Sequence, residues 1–181
     1  FWLKRMDDEY AQYKARFHIF NTQFYPVAKK DPVRCAERTD KNIRLFEKDL
    51  LFIPICSNMH WILVVVCYPA LLVSNTKPSN NKPFIMFCDS LSNAICRQIV
   101  KQIRLFLTER YKVEHRTKRG TLLARDIRSV NAQLPTQENS VDCGVYMLQY
   151  VEQIIRLYFG DLERRRLRLT ARAASKTSIL K

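Results

Sequence analysis

The sequence predicts an α+β domain in which a small sheet packs against helices. Three observations carry this. Short β-branched and aromatic runs, LLFIPIC at 50–56, WILVVVCY at 61–68 and FIMFC at 84–88, sit between turn residues and read as buried strands. Ile95, Ile99, Ile103 and Phe106 step by four and then three, the period of a helix over 93–111. Residues 143–159, CGVYMLQYVEQIIRLYF, are apolar almost all round, the pattern of a buried central helix. With 181 residues, 47% of them hydrophobic, the chain is long and apolar enough for one sizeable core.

From the N-terminus, Phe1, Trp2, Met6, Tyr10, Tyr13 and Phe17 recur mostly at spacings of three and four and predict an amphipathic helix. A second helical piece carries Ile19, Phe20 and Phe24 and is expected to stop at Pro26. Residues 26–42 are polar and basic and read as a surface loop. A tight turn at Ser57-Asn58 joins the first two strands, and Pro69 ends the second. Residues 74–83, SNTKPSNNKP, form a loop, the third strand ends at Asp89, and residues 112–128 are charged and loop-like. Val130, Ala132 and Leu134 alternate with polar residues, giving a fourth, edge-like strand stopped by Pro135. There is no internal repeat. Residues 1–159 read as one domain, and residues 160–181 as a basic tail with seven Lys/Arg against two acids.

Composition excludes several functions. Gly120, Gly144 and Gly160 are the only glycines, so neither a GxxxxGK phosphate loop nor a GxGxxG dinucleotide turn is possible. None of the six cysteines forms CxxC or sits at zinc-ligand spacing, so no metal site is expected. Cys56, Cys67 and Cys88 lie in apolar runs and read as reduced, buried thiols, which favours an intracellular compartment. No apolar stretch approaches the ~20 residues of a membrane helix. The net charge of +14 calls for an acidic partner. Basic residues concentrate at 97–128 and 160–181, read as solvated faces, and no helix-turn-helix, finger or RNA-binding motif accompanies them, so nucleic acid is not the expected partner.

Reactive side chains fall at the ends of elements. His60 opens a strand, Asp89 closes the next, and Cys143 begins the apolar helix. A thiolate to attack a carbonyl, an imidazole to carry its proton and a carboxylate to orient the imidazole make a coherent set. A helix N-terminus and a nearby imidazolium both favour a thiolate. Gln137, in the loop before that helix, carries an amide able to donate to an oxyanion. Asp142 reads as a helix cap. Taken singly, each residue also has an ordinary structural reading, Asp89-Ser90 as a turn above all.

The segments FEKDLLFIPICSNMHWILVVVCYP (46–69), FIMFCDSL (84–91) and LPTQENSVDCGVYMLQYVE (134–152) resemble the Ulp/SENP family of SUMO-specific cysteine proteases. His-Trp, then Asp-Ser-Leu at a strand end, then Gln-x5-Cys-Gly occur in the family's order over roughly residues 1–158. CYPAL and QENSVDCGVYMLQYVE are most similar to the branch that trims poly-SUMO chains. The resemblance implies a papain-like (cysteine proteinase) fold and an isopeptidase that cleaves after the C-terminal Gly-Gly of SUMO. His60 then matches the general base, Asp89 the orienting carboxylate, Cys143 the nucleophile, and Gln137 the oxyanion donor. Trp61 matches the wall of a narrow tunnel over the Gly-Gly tail, and Gly144 leaves room for substrate beside the nucleophile. The expected partners are SUMO, SUMO conjugates and poly-SUMO chains, with no cofactor, no membrane, a monomeric state, and the nucleus or cytoplasm as the location. The family's usual Trp-Leu-x-Asp segment is expected to lie upstream of Phe1, and GDLERRRLRLTARAASKTSILK does not match the family's ending. Alternatives are a protease of another ubiquitin-like modifier or a catalytically impaired SUMO-binding module.

Overall fold

The computed structural model describes residues 9–73, 82–93, 96–115 and 127–177, with side chains as far as Gly160. Phe1, Trp2, Met6 and Ile95, most of the loop expected over 74–83, and residues 116–126 of the charged stretch lie outside these. The elements are β1 (Phe17–Ile19), α1 (Phe24–Lys30), α2 (Pro32–Arg38), β2 (Leu50–Ser57), β3 (His60–Cys67), β4 (Phe84–Cys88), α3 (Arg97–Glu114), β5 (Arg128–Asn131) and α4 (Cys143–Thr177). The five strands form one mixed sheet in the order β1-β2-β3-β4-β5. β1 runs parallel to β2 and β4 parallel to β5, while β2, β3 and β4 are mutually antiparallel neighbours.

Side-chain alternation divides the sheet into two apolar faces. Leu51, Ile53, Ile55, Val64, Val66, Ile85 and Phe87 pack with residues of α1, α2 and α3. Leu50, Phe52, Leu63, Val65, Cys67 and Cys88 pack with Met147, Tyr150, Val151, Ile155 and Phe159 of α4. The sheet is therefore covered by helices on both sides, which is why its inner strands read as continuous apolar runs. α4 packs by one face only. Val145 and Leu157 on it are exposed, so the expectation of an all-round buried helix is corrected. The backbone of α4 continues through residue 160 to Thr177 without a break.

Pro54 lies in β2, a strand with neighbours on both sides, where a missing N–H is normally costly. Phe20 N–H donates to the Phe52 carbonyl, and Pro54 faces the same way two residues on. β1 pairs only with Leu50–Phe52, so the side of Pro54 that lacks a donor looks past the end of β1. The β2–β3 turn is Asn58-Met59, one residue later than expected, with Ser57 paired to His60. Both turn residues have positive φ, 51° and 60°, as the type I′ hairpin that matches strand twist requires. Cys56, expected to be buried, is exposed beside this turn, beyond the part of β2 that the core covers.

The N-terminal expectations change most. Tyr10, Tyr13 and Phe17 are not a helical stripe. Residues 11–13 are a 3-10 turn and Phe17 begins a strand. Their spacing reflects a shared target: Tyr13 stacks on Phe159 of α4 at 4.4 Å, Phe17 meets the same ring, and Tyr10 Oη accepts from Arg156. Pro26 does not stop a helix but stands in the first turn of α1, where an N–H has no intrahelical partner to lose. The stretch taken for a loop over 26–42 holds most of α1 and all of α2, the latter begun by Pro32 and capped by Asp31, whose carboxylate accepts from Arg34 N–H at 2.9 Å. The predicted helix over 93–111 is α3, shifted to Arg97–Glu114, with Ile99, Val100, Ile103, Phe106, Leu107 and Tyr111 inward. The edge strand is shorter than expected, ending at Asn131, and it is the fifth strand because β1 was missed.

Arg110, inside a basic stretch read as solvated, is wholly buried. Its guanidinium donates to Glu114 Oε1 and to the carbonyls of Ala36, Thr39, Asp40 and Ile43. Glu114 also accepts from Leu45 N–H, so this pair ties the turn after α2 to α3.

Candidate active site

The site lies where β3 begins, β4 ends and α4 begins. The type I′ turn delivers His60 at the first position of β3, and Asp89 follows the last residue of β4. β3 and β4 are antiparallel, so the start of one meets the end of the other. His60 Nε2 and Asp89 Oδ1 are 2.7 Å apart, with side-chain exposures of 21% and 12%. A carboxylate only accepts, so Nε2 carries the hydrogen and Nδ1 is left as the basic nitrogen.

Asp89 is held on both oxygens. Oδ1 accepts from His60 and from Leu91 N–H at 2.9 Å, and Oδ2 accepts from Asn93 Nδ2 at 3.0 Å. Burial alone would push this carboxyl up. The Leu91, His60 and Asn93 hydrogen bonds and the His60 charge outweigh that and hold it below its ordinary value. Asp89 is thus both the turn former of the ordinary reading, with Ser92 N–H donating to its carbonyl, and the partner of His60.

Cys143 is buried at the first position of α4. Next to it, a Cβ added at Gly144 would stand 3.4 Å from Trp61 Cδ1 and 3.9 Å from Nε1. The indole that follows His60 therefore lies against the first turn of the helix that Cys143 opens. Gln137 is also buried and is docked on the turn after β4. Its N–H donates to the Ser90 carbonyl at 3.0 Å, and its Oε1 accepts from Ser90 Oγ at 2.5 Å. Asp142 occupies the N-cap position by its backbone, its carbonyl accepting from Tyr146 N–H, but the hydrogen bond its carboxylate makes comes from Asn139 Nδ2.

Of the six sequence-derived residues, His60 is thus paired with Asp89, Trp61 lies against Gly144, the residue after Cys143, and Gln137 is bonded to Ser90, the residue after Asp89. Sequence reasoning missed Ser90, Asn93 and Asn139. The first was absorbed into a turn reading, and the other two look like ordinary loop polars. The signal for Asn139 was present, since Asn four residues before a helix start readily closes an Asx turn. An imidazole oriented by a carboxylate, followed by an indole that packs on the first turn of a helix beginning with a cysteine, is an arrangement suited to nucleophilic attack on a carbonyl.

A family model described as "Ulp1 protease family, C-terminal catalytic domain" matches residues 1–158. The chain belongs to the Ulp1 protease family. Among similar proteins are "Probable ubiquitin-like-specific protease 2A" of Arabidopsis thaliana, 33% identical over 156 residues (78% of this chain, 20% of that protein), and sentrin-specific protease 7 of Homo sapiens, 25% identical over 220 residues (85% and 21%). The chain spans about a fifth of the length of these curated relatives. Among solved structures, a de-sumoylating protease superposes with a TM-score of 0.64 at 19% identity, covering 81% of this chain and 54% of that one. SUMO protease Ulp1 with its catalytic cysteine oxidised to a sulfinic acid gives 0.61 at 21% identity (82% and 59%). These likenesses establish the Ulp1-like fold, and the mixed sheet with flanking helices agrees with the papain-like architecture expected. Among the described residues, no helix is long and apolar enough to cross a membrane.

Proposed function

We propose that this domain is a SUMO-specific cysteine isopeptidase, cleaving after the C-terminal glycine of SUMO to free modified lysines or to take SUMO chains apart. The observation that carries it is the 2.7 Å His60–Asp89 pair beside a Trp61 indole packed on the helix turn that Cys143 begins. Family membership supports the same reading, and the +14 charge suits an acidic modifier, raising encounter rate and specificity in a salt-dependent way.

In the proposed mechanism His60 Nδ1 takes the Cys143 thiol proton while Asp89 stabilises the imidazolium. The thiolate sulfur bonds to the carbonyl carbon of the modifier's terminal glycine, and the carbonyl oxygen becomes an oxyanion. Gln137 Nε2–H and backbone N–H groups near Cys143 hold it. As the tetrahedral adduct collapses, the C–N bond to lysine breaks and His60 returns its proton to the leaving amine. Water, deprotonated by His60, then hydrolyses the thioester. Trp61 over Gly144 narrows the approach so that only glycine passes next to the scissile bond. We place the domain in the poly-SUMO-chain branch, acting as a monomer in the nucleus.

Di-SUMO cleavage by wild type and by Cys143→Ala tests the proposal. Cleavage by the first and none by the second is expected. SUMO binding by both without cleavage by either would favour the impaired binding module. Labelling of Cys143 by another modifier's vinyl-sulfone probe, and not by SUMO's, would favour the other-modifier protease.

A further inference from the structure

We infer that Ser90 is a positioning residue: its buried hydroxyl fixes the Gln137 carboxamide so that one N–H is aimed for the oxyanion. The inference rests on the isopeptidase reading above and names a residue that acts through Gln137 rather than on substrate.

Two contacts set the Gln137 amide. Nε2 donates to the Asn139 carbonyl at 2.5 Å, and Oε1 accepts from Ser90 Oγ at 2.5 Å. The orientation is determined chemically. A backbone carbonyl cannot donate, so nitrogen must face Asn139 and oxygen must face Ser90. One Nε2 hydrogen is then used and the second is the one left for a substrate oxygen. Ser90 is 1% exposed and Gln137 8%, so water does not readily replace either partner. The backbone of the same two residues is joined as well, Gln137 N–H to the Ser90 carbonyl.

The network continues to the nucleophile. Asn139 Oδ1 accepts from Val141 N–H and Asp142 N–H, each at 3.0 Å, and Asn139 Nδ2 donates to Asp142 Oδ2 at 2.6 Å. One run of hydrogen bonds thus leads from the turn that holds Asp89, through Ser90, Gln137 and Asn139, to the residue before Cys143. An amide free to turn about its last torsion would present oxygen as often as nitrogen. The Asn139 carbonyl selects the nitrogen and the Ser90 hydroxyl holds the oxygen, so together they remove that freedom before substrate arrives, the preorganisation on which oxyanion stabilisation depends.

The test is a kinetic cycle in the full chain on a fluorogenic SUMO C-terminal amide, with kcat, KM and melting temperature measured for wild type, Ser90→Ala, Gln137→Ala and the double variant. Gln137→Ala is expected to lower kcat by about 10²–10³-fold. Ser90→Ala should lower kcat by about 10- to 100-fold with KM little changed, and add nothing in the Gln137→Ala background. An equal loss in both backgrounds would show that Ser90 acts on the fold and would overturn the inference, as would an unchanged kcat for Ser90→Ala. If Ser90→Ala does not fold, Ser90→Cys, similar in size but a weak donor, should show the same selective loss of kcat, and wild-type kcat in it would overturn the inference. Turnover that survives Cys143→Ala would instead remove the isopeptidase reading beneath it.

Discussion

Replacing Asp89 by Asn isolates the charge behind His60 from the shape around it. Oδ1 faces both His60 Nε2 and Leu91 N–H, whereas Oδ2 faces Asn93 Nδ2. An Asn keeps two of these three bonds by turning its oxygen toward His60 and Leu91. Its amide nitrogen then meets Asn93, which is exposed and can turn away. The fold should survive, and the loss is the charge that stabilises the imidazolium. At 2.7 Å, Coulomb's law gives about 1.5 kcal/mol at water's dielectric and about 6 kcal/mol at an effective value of about 20. With His60 and Asp89 only 21% and 12% exposed, the upper half of that span applies. Each 1.4 kcal/mol is about a factor of ten, so kcat should fall by about 10³–10⁴-fold. The assay is hydrolysis of a fluorogenic SUMO C-terminal amide, with circular dichroism and melting temperature as controls for folding. A folded D89N retaining kcat within about threefold of wild type would refute the orienting role.

Four further outcomes follow from the same contacts. The Asp89 carboxyl is depressed in the folded state, so its stabilising effect is present above its unfolded pKa and is lost as pH falls through the lower folded value. The stability gap between wild type and Asp89→Ala should therefore hold at neutral pH and close below about pH 4, as read by denaturant melts across pH. Arg110→Ala abandons four carbonyls and Glu114 in a dry site and should cost about 3–5 kcal/mol by chemical denaturation, while KM of the folded fraction stays near wild type. Burial pushes the Cys67 and Cys88 thiols up to about 12, so iodoacetamide at neutral pH should mark exposed Cys56 and Cys96 and spare these two by mass spectrometry; equal labelling of all four would contradict the packing. Gly144→Ala places its methyl in ordinary contact with Trp61, so the melting temperature should hold while kcat/KM falls, and unchanged kcat/KM would mean that substrate does not pass between them.

Much of this molecule was legible before its structure because its signals are local. The apolar runs of β2, β3 and β4 reflect a sheet covered on both faces, and the three-and-four spacing of α3 reflects one inward stripe. His60, Asp89 and Cys143 stood out because reactive groups fell at element ends and the motifs around them resembled those of a known family in the same order. What was misread depends on contacts between distant residues. Tyr10, Tyr13 and Phe17 mimicked a helix because they share a target near Phe159, some 140 residues away. Pro26 looked like a breaker, and Pro32 lay in a stretch that reads as loop, because proline starts helices as readily as it ends them. Arg110 looked solvated because nothing in its neighbourhood shows the four carbonyls it reaches.

By itself, then, the sequence determined the α+β class, the inner strands, and at which element ends the reactive side chains fall, since burial periodicity and motif spacing are written along the chain. Only the tertiary structure decided which nitrogen of His60 faces Asp89, that Trp61 lies on the turn at Gly144, and that Ser90 holds Gln137 across 47 residues. Those are angles and distances between segments, and they exist only once packing of the two apolar faces has set where the ends of β3, β4 and α4 meet.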